Sequence, residues 1–482
     1  MERKEYTDRR VELRTGSLTP VENTAVDRLH GLVQSFVPYT PAVRAWDAPA
    51  DEKTALTLIP GTLNGNPRLR MLADRGFFQP ETRPEGYSVK TAPDPDDPSR
   101  RLTVLQGADP AGVLYAAADY ERYAIRDREV YEGYIYNRHY RPFIDPALPF
   151  ARQSAPAIEH RGLWTWGHVI CDFRGYIDHM ADNRMNTLIV WNDFAPSNAA
   201  EIVAYAHEHA VKVIWGFSWC WGEPVDPQSA ADLEKWTQRV LDTYEKQYLP
   251  TGGDGIYFQA FTETKDTVIG GESIASLAAR WVDAISRAVY ARFPDLWIQF
   301  GVHATSIRES ADEMRQLDPR MSIVWEDAGG FPYAYDPRKS DDAATLDYTR
   351  RLLSLRGERE RFGAVFKGYT VLNWPTIEHQ RSAFPMGVMP EPYKKARAGE
   401  KEFYWRFVAP YWIRKAPFLQ TILQTIARAP VADRLVTALV EDGLWEESSH
   451  TSAAILAELM WDPDADLDAV LDAVFHDSRN AI

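Results

Sequence analysis

Apolar and polar residues follow two rhythms along the chain, and the change between them falls near residue 155. In the first part VENTAVDRLHGLVQSF (21–36) carries apolar positions at helical spacing, so an amphipathic helix is expected. TALTLIPG (54–61), GYSVKTA (86–92) and RLTVLQG (101–107) read as strands, the last two separated by the polar, Pro-rich PDPDDPSR. DPAGVLYAAADYERYAI (109–125) reads as a helix with Asp109 as N-cap and Pro110 in its first position. These elements predict a small α/β layer with mixed strands over 1–155. The Pro-broken stretch 141–160 is expected to be the linker between this layer and the second part.

From His160 onward short apolar strands alternate with helices. The strands are GLWTWG (162–167), NTLIVWND (186–193), VKVIWGFSW (211–219), GIYFQAFTE (255–263), LWIQFGVHA (296–304), MSIVWEDAG (321–329) and FGAVFKGYTVLNW (362–374). Helical patterns lie between them at 174–186, 199–210, 230–248, 273–293, 311–317 and 342–357. Such alternation implies βαβ units and a parallel sheet. So many repeats in so short a span predict a closed (β/α)8 TIM barrel over 156–394. An open nucleotide-binding sheet is disfavoured, because neither G-x-G-x-x-G after the first strand nor G-x-x-x-x-G-K-[ST] is present. The eighth strand is expected within SAFPMGVM (382–389), unless the barrel is incomplete. Residues 395–482 read as a helical C-terminal region.

Composition narrows the function classes. The net charge is −15, which disfavours a nucleic-acid partner. The N-terminus MERKEYTDRRVELRTG has no apolar core segment, and no stretch is long enough for a membrane span, so a cytoplasmic protein without membrane contact is expected. Cys171 and Cys220 lie far apart and read as core or pocket thiols. The 16 Trp residues, many clustered, exceed what a core alone commonly uses; flat aromatic faces suit sugar rings as well as ordinary packing.

In a (β/α)8 protein the C-terminal strand ends carry the chemistry. Here they read Trp166 and His168; Trp191, Asn192 and Asp193; Trp219; Glu263; His303; Trp325, Glu326 and Asp327; Asn373 and Trp374. Asp193 also suits a helix N-cap, His168 and His303 also suit core histidines, and His207 with His209 read as solvated helix residues. Glu263 ends a strand too apolar to solvate it, flanked by Thr262 and Thr264. Glu326 and Asp327 follow SIVW in the same manner, and adjacent strand residues face opposite ways, so one of the two is expected to face the barrel axis. Two rim carboxylates among Trp residues suit glycosidic cleavage, one protonating the leaving oxygen and the other acting as base or nucleophile. Tyr257 and Gln259 point inward if the strand register holds.

The segment EGYSVKTA…RRLTVLQGADPAGVLYAAADYERY resembles the accessory domain that precedes the barrels of β-N-acetylhexosaminidases (glycoside hydrolase families 20 and 84) and α-glucuronidases (families 67 and 115). HRGLWTWG as first barrel strand and a Glu closing strand 4 fit the same group, over about residues 80–330. The resemblance implies an O-glycosyl hydrolase, exo-acting and β-N-acetylhexosaminidase-like, with Glu263 as general acid and no cofactor or metal. The chain departs from family 20, whose Asp-Glu pair at the end of strand 4 reads Thr262-Glu263 here; GGD (252–254) precedes the strand and is not that motif. Glu263 with Glu326 or Asp327 matches the α-glucuronidase layout better, for which Lys367, Arg161 and Arg174 are the available cations. Trp166, Trp191, Trp219, Trp325 and Trp374 are the expected sugar-facing walls, with His168, Asn192, Asp193, His303 and Asn373 beside them. Two other readings stay open: a metal-assisted hydrolase using His168, Asp172, His303 and Asp327, and a noncatalytic carbohydrate-binding barrel.

Overall fold

Thr19 decides where the first helix begins. Its hydroxyl accepts from the Glu22 amide at 3.3 Å, while the Glu22 carboxylate accepts from the Thr19 amide at 2.8 Å, a reciprocal cap that starts α1 (Pro20–Gln34). The structure is a computed structural model, and it describes residues 10–35, 37, 39–49, 51–126, 149–166, 170–192, 194–219, 224–261, 266–302, 307–326, 341–369, 382–387, 390–440, 446, 449–476 and 480–481. Strands β1 (Arg10–Thr15), β2 (Ala42–Ala45), β3 (Thr54–Thr62), β4 (Tyr87–Pro93), β5 (Arg101–Gly107) and β6 (Phe150–Ser154) form one sheet in the order β2-β1-β3-β5-β4-β6. β4 runs antiparallel to both of its neighbours and the other pairs are parallel. Helices α1 and α3 (Pro110–Asp119) cover one face, where Val11, Leu13, Leu56, Leu58 and Leu105 meet them. The shorter α2 (Pro67–Asp74) covers part of the other through Ile59, Leu69, Leu72 and Val104. The expected cap of α3 is present: one Asp109 carboxylate oxygen accepts from the Gly112 amide at 2.9 Å. The expectation of a linker over 141–160 is corrected, because β6 within it completes the sheet edge beside β4.

The second rhythm builds a closed barrel of eight parallel strands. β7 (His160–Trp166), β8 (Thr187–Trp191), β9 (Lys212–Gly216) and β10 (Gly255–Gln259) are the first four. A small hairpin, β11 (Val268–Ile269) with β12 (Glu272–Ser273), intervenes before β13 (Trp297–Val302), β14 (Ser322–Trp325) and β15 (Arg361–Phe366). The eighth strand is β16 (Asp433–Leu439), paired between β15 and β7. The placement at 382–389 is therefore corrected, and so is the purely helical reading of 395–482. β16 comes after α9 (Glu391–Ala427), a 37-residue helix that spaces it far from β15 along the chain.

Side chains alternate across each barrel strand, so both faces are buried. Inward residues Trp164, Ile189, Trp191, Ile214, Tyr257, Val324, Val365, Leu435 and Leu439 form one cluster. Outward residues pack beneath the helices α4 (Phe173–Asp182), α5 (Ala199–Glu208), α6 (Ala230–Thr243), α7 (Ile274–Arg292) and α8 (Asp342–Leu353). At the N-terminal end of the barrel His160 and Asp433 meet at 3.0 Å, and Arg361 lies 3.5 Å from the same carboxylate. Helix α10 (Thr451–Trp461), buried along its whole length, wedges between barrel and sheet. Its Trp461 joins the core of the sheet while most of its other apolar residues join that of the barrel. Among the described residues no helix is long and apolar enough to cross a membrane.

Candidate active site

The C-terminal mouth of the barrel holds a buried carboxylate in a cage of donors. Strand β14 alternates with Val324 inward and Trp325 outward, so the next residue, Glu326, turns inward and is 3% exposed. Its amide still bonds the Val302 carbonyl at 3.3 Å, which carries the β13–β14 ladder one step further and fixes the backbone that presents the carboxylate. Tyr257 and Gln259, two apart on β10 and hence on one face, both donate to Glu326 Oε1. Lys367, one residue past β15, brings Nζ to 3.5 Å from Oε2. An ionised carboxylate only accepts, at about four lone-pair sites, so three converging donors match that form.

The cage depends on Gly301. A Cβ there would fall on the Tyr257 hydroxyl and on Glu326 Oε1, so only a residue without a side chain lets the two meet. Burial is the largest influence on the Tyr257 hydroxyl, and it pushes its pKa well above the usual phenol value; the Glu326 charge and hydrogen bond act the same way. Tyr257 is therefore a standing donor at neutral pH. Aromatic rings wall the cage on the side of the first two strands. Trp164 and Trp191 stack at 6.2 Å between centroids, Trp166 meets Trp191 edge-on at 5.8 Å, and Tyr257 packs edge-on against both Trp164 and Trp191. Trp166 is the partly exposed member of this group.

The structure thus brings Trp166, Trp191, Tyr257, Gln259 and Glu326 together. It places Trp219 and Trp325 elsewhere. Trp219 stacks on Phe258 at 3.6 Å, and Trp325 meets Tyr348 of α8 edge-on at 5.2 Å, so both belong to the layer between strands and helices and do not line the mouth. Asn192 is buried, its amide donating to the Phe194 carbonyl at 2.5 Å while its own carbonyl accepts from Tyr248, so it ties down its loop. Glu263, Asp327, His168, Asp193, His303, Asn373 and Trp374 lie outside the described residues. Of the metal-assisted set, Asp172 caps α4 through the Arg174 and Gly175 amides, and the other three lie outside the described residues.

Of the three cations, Arg161 is fully buried at the opposite end of the barrel, where it pairs with Glu85 at 2.6 Å. Arg174 is exposed beside Glu201. Lys367 alone of these reaches the mouth. Gly301 is absent from the residues that sequence reasoning selects, although a glycine inside the apolar run WIQFGV signals close approach by another group.

No protein-family model matches the chain, and no curated protein matches it in sequence. Among solved structures, one titled "Structure of CpGH84D" aligns with 96% of this chain and 67% of its own, at a TM-score of 0.51 and 11% identity. At that identity the likeness is one of fold.

Proposed function

We propose that the protein hydrolyses O-glycosidic bonds, with Glu263 as general acid and Glu326 as the opposing base or nucleophile. The observation that carries this reading is the buried Glu326, held by Tyr257, Gln259 and Lys367 at the C-terminal mouth of a (β/α)8 barrel. A carboxylate so held is fixed in direction, as a base or nucleophile needs to be. Glu263 stands four residues beyond Gln259 in the chain, and β10, which carries Gln259, is separated from the strand of Glu326 only by β13. That order suits a pair of carboxyls flanking one bond. Trp166, the partly exposed ring of the cluster, supplies the apolar wall for a sugar ring, with Trp191 packed edge-on against it. The similarity in fold to a protein whose name carries GH84 agrees with the family resemblance of the sequence.

The first assignment of substrate is an exo-acting, β-N-acetylhexosaminidase-like cleavage. An α-glucuronidase-like reading is favoured by a separate observation: the inward carboxylate stands on the sixth barrel strand, and the cation Lys367 stands beside it. A panel of 4-nitrophenyl N-acetylhexosaminides and glucuronides, in both anomers, separates the two. Glu326→Gln and Glu263→Gln should each lower turnover on the accepted substrate by about 10²–10⁴-fold while ligand still binds. Turnover undiminished in both variants, or absent for every glycoside with the native chain, overturns the assignment.

A further inference from the structure

The face of the N-terminal sheet opposite α1 and α3 is only partly roofed. Helix α2 packs over Ile59, Leu102 and Val104, and beside it a groove of about 490 Å³ crosses β1, β3 and β5. Alternation along β1 puts Val11 and Leu13 into the core under α1, and so turns Glu12 and Arg14 to this face. The floor is polar as well as apolar. Arg14 and Thr57 line it beside Ile59 and Leu102, and Glu12, 2% exposed on the same face of the sheet, takes hydrogen bonds from Arg14 Nε at 2.8 Å and Thr54 Oγ1 at 3.2 Å. Arg14 is thereby held at the groove.

The walls combine an indole with fixed guanidinium–carboxylate pairs. Trp46 stands half-buried at one end, just past the edge strand β2, its amide bonded to the Thr15 carbonyl at 2.9 Å. Arg68 bonds Asp96 at 2.7 Å and Arg100 lies 2.9 Å from Asp97. Three guanidiniums and four carboxylates, those of Asp47, Asp94, Asp96 and Asp97, line the same space. With one carboxylate in excess the groove offers little attraction to a polyanion or polycation. It does offer paired donors and acceptors, the pattern that vicinal hydroxyls match, next to an indole that a pyranose ring can cover. The volume falls in the range of small-molecule sites.

We infer that this groove is a second binding site, separate from the barrel mouth, and that it takes a neutral oligosaccharide with one sugar ring stacked on Trp46. The site does not depend on the hydrolase reading, since it shares no residue with the mouth. The test is calorimetric titration of the full chain carrying Glu326→Gln, which suppresses turnover, with chitotriose, xylotriose and maltotriose as probes. At least one should bind, and Trp46→Ala should weaken it by about tenfold or more while thermal unfolding stays unchanged. Met71, 46% exposed on the groove wall, gives a second variant that folding does not depend on, and Met71→Lys should weaken the same probe. Trp166→Ala at the mouth should leave this binding intact. Affinity unchanged in both groove variants overturns the proposal, as does binding of heparin oligosaccharides in place of the neutral probes, or of no probe. A chain that cleaves no aryl glycoside yet keeps Trp46-dependent binding refutes the hydrolase reading and leaves the groove standing.

Discussion

Gly301 is the residue on which the geometry of the mouth turns. Ala at this position would bring a methyl group onto the Tyr257 hydroxyl and the Glu326 carboxylate, both buried. Overpacking of this kind costs about 1–3 kcal/mol. Gly301→Ala should therefore lower the unfolding free energy measured in urea by that much. Under the proposed function it should also depress turnover far more than a loss of stability explains, because the carboxylate itself is displaced. A stable variant with native kinetics would mean that the cage has no part in the reaction. At this scale the sequence is only half legible. Glu326 can be picked out as a carboxylate at a strand end, and alternation along SIVWE turns it inward. The errors at Trp219 and Trp325 have one cause. A parallel barrel strand is buried on both faces, so an aromatic at its end is as well placed under a helix as over the mouth. Only register decides between them, and a shift of one residue reverses the answer.

The elements show the same limit in β16. DRLVTAL is seven residues long and buried, and it comes soon after a 37-residue helix whose apolar spacing runs on through ILQTIARAPVADRLV. Periodicity does not separate a short buried strand from a buried helical segment, whereas the first seven strands stand between clear helical patterns. What fixes β16 is a tertiary contact. Its first residue, Asp433, lies between His160 of β7 and Arg361 of β15, joining the two strands that β16 must bridge to close the barrel. Burial would raise the Asp433 carboxyl pKa, but the His160 hydrogen bond, with His160 and Arg361 charge, holds it below the ordinary value. A carboxyl depressed in the folded state adds stability above its unfolded pKa of about 3.9, and that stability is lost as pH falls through the folded value. Asp433→Asn should cost about 1.5–3 kcal/mol at pH 7 and progressively less below about pH 4. Urea denaturation of both proteins at neutral and acidic pH measures this. An equal deficit at both values would show that the carboxylate charge is not what closes the barrel.

Across the whole molecule, sheet and barrel are joined by charges that neither could bury alone. Asp119 at the end of α3 receives Arg184 from the barrel side at 2.8 Å, Arg152 of β6 at 3.3 Å, and the Tyr87 hydroxyl. Glu458 of the wedge helix α10 takes Arg184 and Arg122. Arg184 also lies over the Trp461 ring, 4.6 Å from its centroid, and adopts φ 56°, a left-handed conformation that a side chain rarely holds without such anchoring. Burial favours the neutral forms of Asp119 and Glu458, yet the surrounding guanidiniums hold both carboxyls below their ordinary pKa. Each of these ion pairs joins residues far apart in sequence, which is why the pattern of the chain shows two rhythms but not their union. Removing one member leaves buried charge uncompensated, at about 3–5 kcal/mol. Arg184→Met should lower stability by that amount and, because the loss falls on the junction, split a single unfolding transition into two in calorimetry. Glu458→Gln should do the same more weakly, since Asp119 still holds Arg184. The mouth lies at the far end of the barrel from this junction, so kcat below the first transition should stay native in both variants. A fall in kcat with the transition still single would instead mean that the junction shapes the mouth, and that sheet and barrel act as one body in function as well as in folding.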